Sequence, residues 1–503
     1  MKRGLSFVPP APVTRSDAAR ADVAVFVGRV ARRAGALGAA RLTALRDAGW
    51  IAGDAAAWTP LFGRSRADVD ALLDLPVALA GVDDFDALFE RARAASGPGS
   101  AFDAPLATAV RAFFAEGGRR AWVVRAGDPL PLDVAPDAAG LAALIPADVA
   151  AAERASWHGL AQVLGLPDAA LLLLPDLAAW FAEPVAALAE RPAEPPPWLP
   201  VFVECSEGDG ALPAADASPR IAAPRVSEAG FTAWRAAVIA ARSLLERLRP
   251  DMQLVTALPL PQAELAQGAH SAAADYAGFL QPLWADGLAS ERLQLAWPWL
   301  ATALSARQPG GLEAPDARLA GRIAATVLAR GAHRTAAGAA MTTLHTLTPK
   351  LAADTALAER VSVFGLTPTG IQLISDVSTA DAPALRPASI RRVLGLVARA
   401  ARTLGDAAVF EASGPALWRS LTLATEHLLD AFWRAGALNG ASAADAYTVE
   451  CGPATMSQAD LDAGRVIVRV ALAPAASVER IAVTLVLNDG NAGLAPGVLV
   501  EAA

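Results

Sequence analysis

The chain has 503 residues, of which 54% are hydrophobic, and its 51 acidic and 43 basic residues give a formal net charge of −8. This length predicts more than one domain, and the apolar content argues against a disordered chain. The acidic balance argues against a nucleic-acid-binding protein, which normally presents a basic face. The two cysteines, Cys205 and Cys451, lie far apart, so neither a disulfide framework nor a zinc site is predicted.

No segment of the sequence predicts a membrane span or a signal peptide. The most apolar stretch, AALLLLPDLAAWFA at 169–182, is interrupted by Pro175 and Asp176. A span needs about 20 apolar residues, and this stretch ends before that length. The N-terminal MKRGLSFVPPAPV has prolines where a signal peptide would need an apolar core. We therefore expect a cytoplasmic origin.

The N-terminal half alternates strand and helix patterns, which indicates a mainly parallel sheet covered by helices. Residues 1–21 are polar, proline-bearing and aperiodic, and they predict an extended arm. The predicted strands are 22–28, 75–81, 121–126, 170–175, 199–205 and 252–258, and the predicted helices include 83–95 and 231–248.

The stretch AVRAFFAEGGRRAWVVRA, at 109–126, predicts a helix followed directly by a strand. Val110, Phe113 and Phe114 have the spacing of one buried helix face. Gly117 or Gly118 can close the helix in the left-handed conformation. The apolar run from residue 121 then predicts a strand buried on both faces.

The C-terminal part predicts a long helix at 414–436 and two strands at 465–473 and 479–489. In the last strand, Ile481, Val483, Leu485 and Leu487 alternate with the residues between them, so one face is expected to be buried. Between the helix and the strands, Ser457 is expected to cap a short helix and Gly464 to end it.

The sequence contains no recognisable catalytic or metal-binding motif. Gly28, Gly35 and Gly38 follow the first strand, but their spacing does not match the Gly-x-Gly-x-x-Gly loop of dinucleotide-binding proteins. The five histidines form no ligand pair, and His427 is expected to be a half-buried structural residue. We expect no catalytic residues, no metal and no cofactor, with a nucleotide-binding α/β enzyme as the least favoured alternative.

The order of several motifs resembles contractile tail sheath proteins, the family of phage tails, pyocin-like particles and extracellular contractile injection systems. The N-terminal half is similar to the family's outer domain, with a Pro-Val strand, a Phe-x-x-Leu-Phe helix and a Phe-Phe helix before a glycine pair. The matching residues are Pro76, Phe85, Leu88, Phe89, Phe113, Phe114, Gly117, Gly118 and Trp122.

The C-terminal half resembles the family more closely. Pro298-Trp299, Ala320-Gly321 and Arg330-Gly331 match its aromatic-Pro-Trp strand, its Pro-led helix and its Arg-Gly turn. The most specific stretch is 432–474, and the resemblance covers about residues 22–489. Its matching residues are Trp433, Gly436, Ala437, Leu438, Gly440, Cys451, Gly464 and Pro474.

The sequence also departs from the family pattern. The arm lacks the Pro-Gly-Val-Tyr-like strand, Gln372 stands where the family prefers Asn, and residues 32–74 look like an insertion. These departures affect segments that contact other subunits in the family. A baseplate-proximal or non-polymerising sheath-like adaptor is therefore kept as an alternative.

The resemblance implies an outer α/β domain with a mainly parallel sheet and an inner α+β sheath core with terminal strands for inter-subunit sheet sharing. The expected divisions are an N-terminal arm at 1–21, the outer domain at 22–290, the core at 291–489 and a tail at 490–503. An arm of this length spans on the order of 70 Å when extended, so it can reach a neighbour. The alternative is that both termini fold back on their own domain.

The function that the resemblance implies is mechanical. The chain would polymerise helically around an inner tube and contract, with further copies or sheath paralogues, the tube protein, and baseplate and terminator or cap proteins as partners. The inter-subunit strand candidates are Ile481, Val483, Leu485 and Leu487. The tube-facing candidates are Arg419, Glu426, Asp430 and Arg434, for which the alternative is an ordinary solvated helix face. The protein would assemble in the cytoplasm and become part of a phage tail-like particle.

Overall fold

The secondary structure alternates strands and helices over most of the chain. The computed structural model describes residues 20–54, 57–93, 102–132, 134–183, 221–262, 280, 284–338, 340–341, 343–350, 356–408, 411, 413–462, 465–475, 481–487 and 498–502. The strands are β1 Ala24–Gly28, β2 Ile51–Gly53, β3 Trp58–Pro60, β4 Pro76–Leu79, β5 Ala121–Arg125, β6 Leu171–Leu173, β7 Gln253–Ala257, β8 Leu293–Trp297, β9 Trp299–Thr302, β10 Leu344–Thr348, β11 Ser362–Thr367, β12 Gly370–Leu373, β13 Tyr447–Cys451, β14 Val466–Leu472, β15 Ile481–Leu487 and β16 Val498–Ala502. The helices are α1 Ala39–Asp47, α2 Arg66–Asp70, α3 Val82–Asp86, α4 Pro105–Ala115, α5 Ala138–Leu144, α6 Leu177–Trp180, α7 Glu228–Leu248, α8 Asp316–Arg330, α9 Ala388–Ala408, α10 Pro415–Arg434, α11 Ala443–Ala446 and α12 Gln458–Asp462.

A mainly parallel sheet lies at the centre of the fold. In the described part of the chain it has eight strands in the order β12-β11-β8-β7-β6-β1-β5-β4. The six inner strands pair in parallel, whereas the edge strands β4 and β12 pair antiparallel with β5 and β11. Phe26 belongs to the hydrophobic core on one face of the sheet, and Val25 and Val27 belong to the core on the other. Both faces are therefore covered, and the mixed α/β class with a mainly parallel sheet is confirmed.

The stretch at 109–126 forms the predicted helix and strand. Val110 and Phe113 are fully buried in α4, and Phe114 packs against the same core. The helix closes at Gly117, whose φ of +101° favours glycine, and the Gly118 amide donates to the Phe113 carbonyl at 3.0 Å. Gly118 also packs against the Phe113 ring, where a Cβ atom would lie 2.2 Å from a ring carbon. The glycine pair thus allows β5 to follow α4 directly.

The prediction of a helix over residues 83–95 is wrong beyond the first turn. The structure has only α3, Val82–Asp86, and the following residues form antiparallel bridges from Phe89 to Arg32 and from Ala92 to Asp103. Phe85, Leu88 and Phe89 are still buried as their spacing indicates. Tertiary pairing therefore overrides the helical pattern here, because the backbone finds partners outside its own segment.

The predicted division at 290/291 falls between two neighbouring strands. Leu254 to Ala257 of β7 pair in parallel with Leu293 to Ala296 of β8, and β11 and β12 extend the same sheet to residue 373. The change in architecture comes after β12, where helix α9 begins. The four divisions of the chain remain predictions, but the strands on the two sides of residue 290 share one sheet.

The C-terminal unit combines an antiparallel sheet with two long helices. Its strand order is β13-β14-β15-β16, and every neighbouring pair is antiparallel. Leu421 and Leu429 of α10 share a hydrophobic core with Val468 and Val470 of β14. Ser457 caps α12 as predicted, since its hydroxyl accepts from the Asp460 amide at 3.2 Å. The predicted roles of Gly464, Cys205, the strand at 199–205 and the first 19 residues of the arm lie outside the described residues.

Candidate functional site

Helix α10 presents the four tube-facing candidates on one side. Its buried stripe is Leu421, Thr425 and Leu429, which packs toward the C-terminal sheet. Helical spacing places Arg419, Glu426, Asp430 and Arg434 together on the side away from this stripe. Arg434 pairs with Asp430 at 2.8 Å, and their side chains are 75% and 24% exposed. A partly exposed i,i+4 pair of this kind adds little stability, and Arg419 and Arg434 are the most exposed charges of the four.

An exposed leucine completes this side of α10. Leu423 lies between Arg419 and Glu426 on the same face and is 58% exposed. Its position four residues after Arg419 places it on this face, but no sequence motif distinguishes it from the other leucines of the helix. His427 is exposed beside the face, so the expectation that it is half-buried is wrong. We call Arg419, Leu423, Glu426, Asp430 and Arg434 the α10 face.

The strand candidates occupy an interior position in the C-terminal sheet. Ile481, Val483, Leu485 and Leu487 lie in β15, which pairs with β14 along its whole length. On its other side, residues 481–485 pair with β16, which lies inside the segment predicted as a tail. The edges of the described sheet are β13 and β16. The sharing of β15 with another subunit remains a prediction, and it would require β16 to leave.

Helix α9 joins the C-terminal unit to the main sheet. Ile390, Leu394 and Val397 face the C-terminal core, whereas the arginines on the opposite side of the helix face the sheet. Gly395 lies against the loop after α7, where a Cβ atom would come within 2.5 Å of the Asp251 carbonyl oxygen. The helix is therefore apolar toward one unit and basic toward the other.

One of these arginines, Arg392, makes a buried ion pair with Asp376. Its guanidinium donates to both carboxylate oxygens, at 3.1 and 2.7 Å, and also to the carbonyl oxygens of Ala332 and Arg334. Gln294 of β8 donates to Asp376 at 2.9 Å. Burial acts to raise the pKa of Asp376, but the Arg392 charge and these hydrogen bonds outweigh it and hold the pKa below its usual range.

A second buried cluster forms around Asp251. Arg249 donates to both oxygens of this carboxylate, at 2.8 and 2.7 Å, and Arg399 of α9 approaches it at 3.4 Å. Burial opposes the charge of Asp251, but the guanidinium groups prevail and keep its pKa below the usual range. Arg399 also donates to the Ala169 carbonyl at 3.0 Å, which lies just before β6. Both clusters thus connect α9 to loops at the ends of sheet strands.

The glycine loop after β1 differs from a dinucleotide-binding loop. The Arg29 amide at the end of β1 donates to Asp176 at 2.7 Å, so a side-chain carboxylate occupies the position where a phosphate would bind in such a loop. Helix α1 begins only after Gly38, ten residues beyond the end of β1. This geometry argues against the nucleotide-binding alternative.

The described residues contain neither a metal-binding cluster nor a helix that could span a membrane. No group of three or more His, Cys, Asp and Glu side chains is arranged there to hold a metal ion. Within the same residues, no helix has both the length and the apolar composition that crossing a bilayer requires.

Comparison of the fold with solved structures gives near-complete matches to contractile injection systems. A chain in the 6-fold symmetrised cryo-EM structure of the anti-feeding prophage (AFP) baseplate matches with a TM-score of 0.54 and 17% identity, over 95% of this chain and 96% of that one. The contracted AFP helical sheath matches with a TM-score of 0.51 and 17% identity, over 93% and 96%. The contracted sheath complex of the extracellular contractile injection system PVC matches with a TM-score of 0.50 and 17% identity, over 94% and 95%.

Comparison of the amino-acid sequence alone identifies no such relatives. No protein-family model matches it, and no curated protein matches it significantly. The fold defines the chain as a mixed α/β protein of the kind found in contractile injection systems. The resemblance to sheath proteins drawn from its motifs is confirmed at the level of the fold.

Proposed function

We propose that this chain is a structural subunit of a contractile tail sheath, which polymerises helically around an inner tube and contracts to drive the tube through a target envelope. The observation that carries this proposal is the likeness of fold to contractile injection system chains over 93% to 95% of the sequence. A likeness over nearly the whole of both chains supports a shared architecture and not a shared domain alone.

The proposed partners follow from this role. They are further copies of the chain or sheath paralogues, the inner tube protein through the α10 face, and baseplate and terminator or cap proteins at the two ends. Heterologous contacts repeated with a constant rotation and rise build an open helix, so one pair of complementary surfaces is sufficient for a cylinder. Assembly would take place in the cytoplasm, and no catalysis would be involved.

The proposal is tested by negative-stain electron microscopy of the full chain, expressed alone and together with its proposed tube partner. Helical cylinders in either sample would support a polymerising sheath subunit. Monomers in both samples would contradict polymerisation and would leave the adaptor as the better proposal.

A baseplate-proximal adaptor is the second candidate. It is favoured by the AFP baseplate match, whose TM-score of 0.54 is above the 0.51 and 0.50 of the two sheath structures. An adaptor would form one closed ring and would not grow into a cylinder. Mass photometry of the protein with tube and baseplate components distinguishes the two, because an adaptor gives one fixed mass and a sheath gives a distribution that grows with concentration.

A further inference from the structure

A cleft outside the proposed assembly surfaces opens at the ends of the central strands. Strand β1 pairs with β5 on one side and β6 on the other, and the cleft lies beyond the carboxyl ends of these three strands. In parallel sheets, ligands bind at the position where neighbouring strands lead the chain in opposite directions. The cleft occupies this position in the main sheet.

The walls of the cleft are mainly apolar. As formed by the described residues, it encloses a cavity of about 110 Å³. Trp180 and Trp299 contribute aromatic surface, and seven prolines, each with a fixed φ, also line the cleft. These prolines are Pro105, Pro129, Pro131, Pro136, Pro175, Pro224 and Pro309. An apolar cleft with a few polar groups is the usual form of a small-molecule site.

Acidic side chains outnumber basic ones in the lining of the cleft. Two arginines, Arg29 and Arg93, contribute to its lining together with four acidic residues, Asp176, Glu183, Glu313 and Asp316. Of these carboxylates, Asp176 accepts from the Arg29 amide at 2.7 Å, and Glu313 accepts from Arg318 at 2.7 Å.

Glu313 and Asp316 each have a buried carboxylate oxygen that lacks a hydrogen-bond partner in the described part of the chain, and Glu313 is paired with Arg318. Of the two, Asp316 is the one without an ion pair among the described residues. It is 1% exposed at the first turn of α8, and its Oδ1 accepts from the Ala317 amide at 2.9 Å. Its Oδ2 is buried and has no hydrogen-bond partner among the described residues. The two arginines donate to carbonyl oxygens, Arg29 to that of Asp128 at 3.2 Å and Arg93 to that of Leu130 at 3.2 Å, and the Arg29 guanidinium also lies over the Trp180 ring, 5.5 Å from its centroid. A buried carboxylate oxygen without a donor is costly, so an added donor would be favoured there.

The state of Asp316 depends on pH near neutrality. Burial raises its pKa to about 7, with a contribution from repulsion by the carboxylates of Glu313 and Asp176 and against the lowering effect of the Ala317 amide. Above this pH the side chain is a buried anion without a counter-charge. Below it the side chain is neutral and has little attraction for a cation.

We propose that the cleft binds an organic cation, with an ammonium group donating to Asp316 Oδ2 and a short alkyl stem against Trp180 and the prolines. A metal ion suits the site less well, because Ca²⁺ requires about six to eight oxygen ligands and only two carboxylate oxygens here, Glu313 Oε2 and Asp316 Oδ2, lack a hydrogen-bond partner among the described residues. An anion would face the excess of carboxylates. The ammonium group can belong to a free amine or to a lysine side chain, and both have the same chemistry.

The experiment is a titration of the purified full-length chain with n-butylamine and, separately, with N-acetyl-lysine methylamide, followed by isothermal calorimetry. At about pH 8 we expect saturable binding of at least one of these ammonium compounds. Between about pH 8 and pH 6, the affinity should fall about tenfold, in proportion to the ionised fraction of a group with a pKa near 7. 1-Butanol, which has a similar stem and no charge, should bind weakly and without this pH dependence.

Two variants locate the site. Asp316→Asn keeps the acceptor for the Ala317 amide and removes the charge, and it should weaken ammonium binding about 10-fold to 100-fold. The matched control is Asp148→Asn, a change at an exposed residue that should leave binding unaltered. Ala179→Leu places extra volume in the cleft wall without changing charge, and it should also abolish binding.

Three outcomes would overturn the proposal. They are no binding of either ammonium compound at pH 8, equal affinity of 1-butanol and n-butylamine, and unchanged binding in Asp316→Asn. If Asp316→Asn does not fold, Ala179→Leu and the pH dependence of the unaltered chain still decide the question. Because the cleft is formed by residues of a single chain, a failure to bind ammonium compounds would leave the proposed sheath role untouched, and the reverse also holds.

Discussion

At the scale of single residues, the buried pair of Arg392 and Asp376 is a sensitive point of the fold. Replacing Asp376 with Asn leaves the guanidinium buried without its counter-charge, which typically costs about 3–5 kcal/mol. We therefore expect a large loss of unfolding free energy at neutral pH, measured by urea denaturation. The exposed Asp148→Asn is the control and should change stability by less than about 0.5 kcal/mol.

The pH dependence of this pair provides a second check. The folded-state pKa of Asp376 lies below its unfolded value, so its contribution is present above the unfolded pKa and is lost as the pH falls through the folded pKa. The stabilities of the unaltered chain and Asp376→Asn should therefore converge in acid. A difference that stays constant down to the lowest measurable pH would contradict the assigned role.

Asp316 has the opposite pH dependence. Because its folded-state pKa is raised to about 7, the folded chain binds more protons than the unfolded chain between about pH 4 and pH 7. Stability contributed by this residue is thus lost as the pH rises through that range. Asp316→Asn should match the unaltered chain near pH 4 and exceed it near pH 8, by at most about 4 kcal/mol for a shift of about three pKa units. Thermal unfolding across this range tests it, and a variant that is less stable at pH 8 would contradict it.

At the scale of elements, α9 depends on a glycine for its close contact with the sheet. In Gly395→Ala, the added Cβ would lie 2.5 Å from the Asp251 carbonyl oxygen, so the helix or the loop must move. Alanine has the better helix propensity by about 1 kcal/mol, but we expect the clash to prevail and destabilise the protein by about 1–3 kcal/mol. Chemical denaturation measures the change.

The control for this substitution is Gly38→Ala. No atom lies within 4 Å of the position that its Cβ would take, and its φ of −66° suits any residue. Its stability should change little. If Gly395→Ala is as stable as this control, the close approach of α9 to the loop does not constrain the fold.

The α10 face is expected to serve binding and not folding. Leu423→Ser removes an apolar side chain that is 58% exposed, so the melting temperature should change by only a degree or two. Co-purification with the tube protein should decrease clearly, because apolar anchors among charges dominate interface energy. The comparison is Leu421→Ser in the buried stripe, which should instead unfold the unit. Unchanged tube binding by a folded Leu423→Ser would remove α10 as the tube-facing element.

At the scale of the whole molecule, β16 protects the edge of the C-terminal sheet. Its residues pair with 481–485 of β15, so a chain ending at residue 497 would present unpaired amides and carbonyls there. Such edges bind further strands, and we expect this shortened chain to form larger oligomers at concentrations where the full chain is monomeric. Size-exclusion chromatography with light scattering measures the difference. An unchanged mass would show that β15 is protected by other means.

The sequence predicted the main sheet well, because its strands are short apolar runs buried on both faces and bounded by turns. It also predicted the helix closing at Gly117 and the cap at Ser457, since local chemistry decides both. It failed at 83–95, where pairing with Arg32 and Asp103 replaces a helix. Such pairing depends on distant residues, and no local pattern reveals it.

The candidate sites were less predictable than the fold. The helical spacing identified the charged members of the α10 face, but exposure of Leu423 depends on which side of α10 packs against β14. The sequence does not indicate which carboxylates the arginines of α9 pair with, because Asp376 and Asp251 lie on other segments of the chain. The cleft carboxylates converge from segments as far apart as residues 176 and 316, so only the folded chain brings them together.

Helix α9 also determines how a load would travel through this molecule. Residues 374–414 are the covalent connection between the main sheet and the C-terminal unit, and α9 occupies most of this connection. A mechanical force between the two units would be carried by the ionic contacts on one side of α9 and then by the apolar contacts on its other side, in series. In a series arrangement the weaker side yields first. Low pH weakens the ionic side, whereas cooling weakens the apolar side, so pH and temperature would decide which of the two gives way.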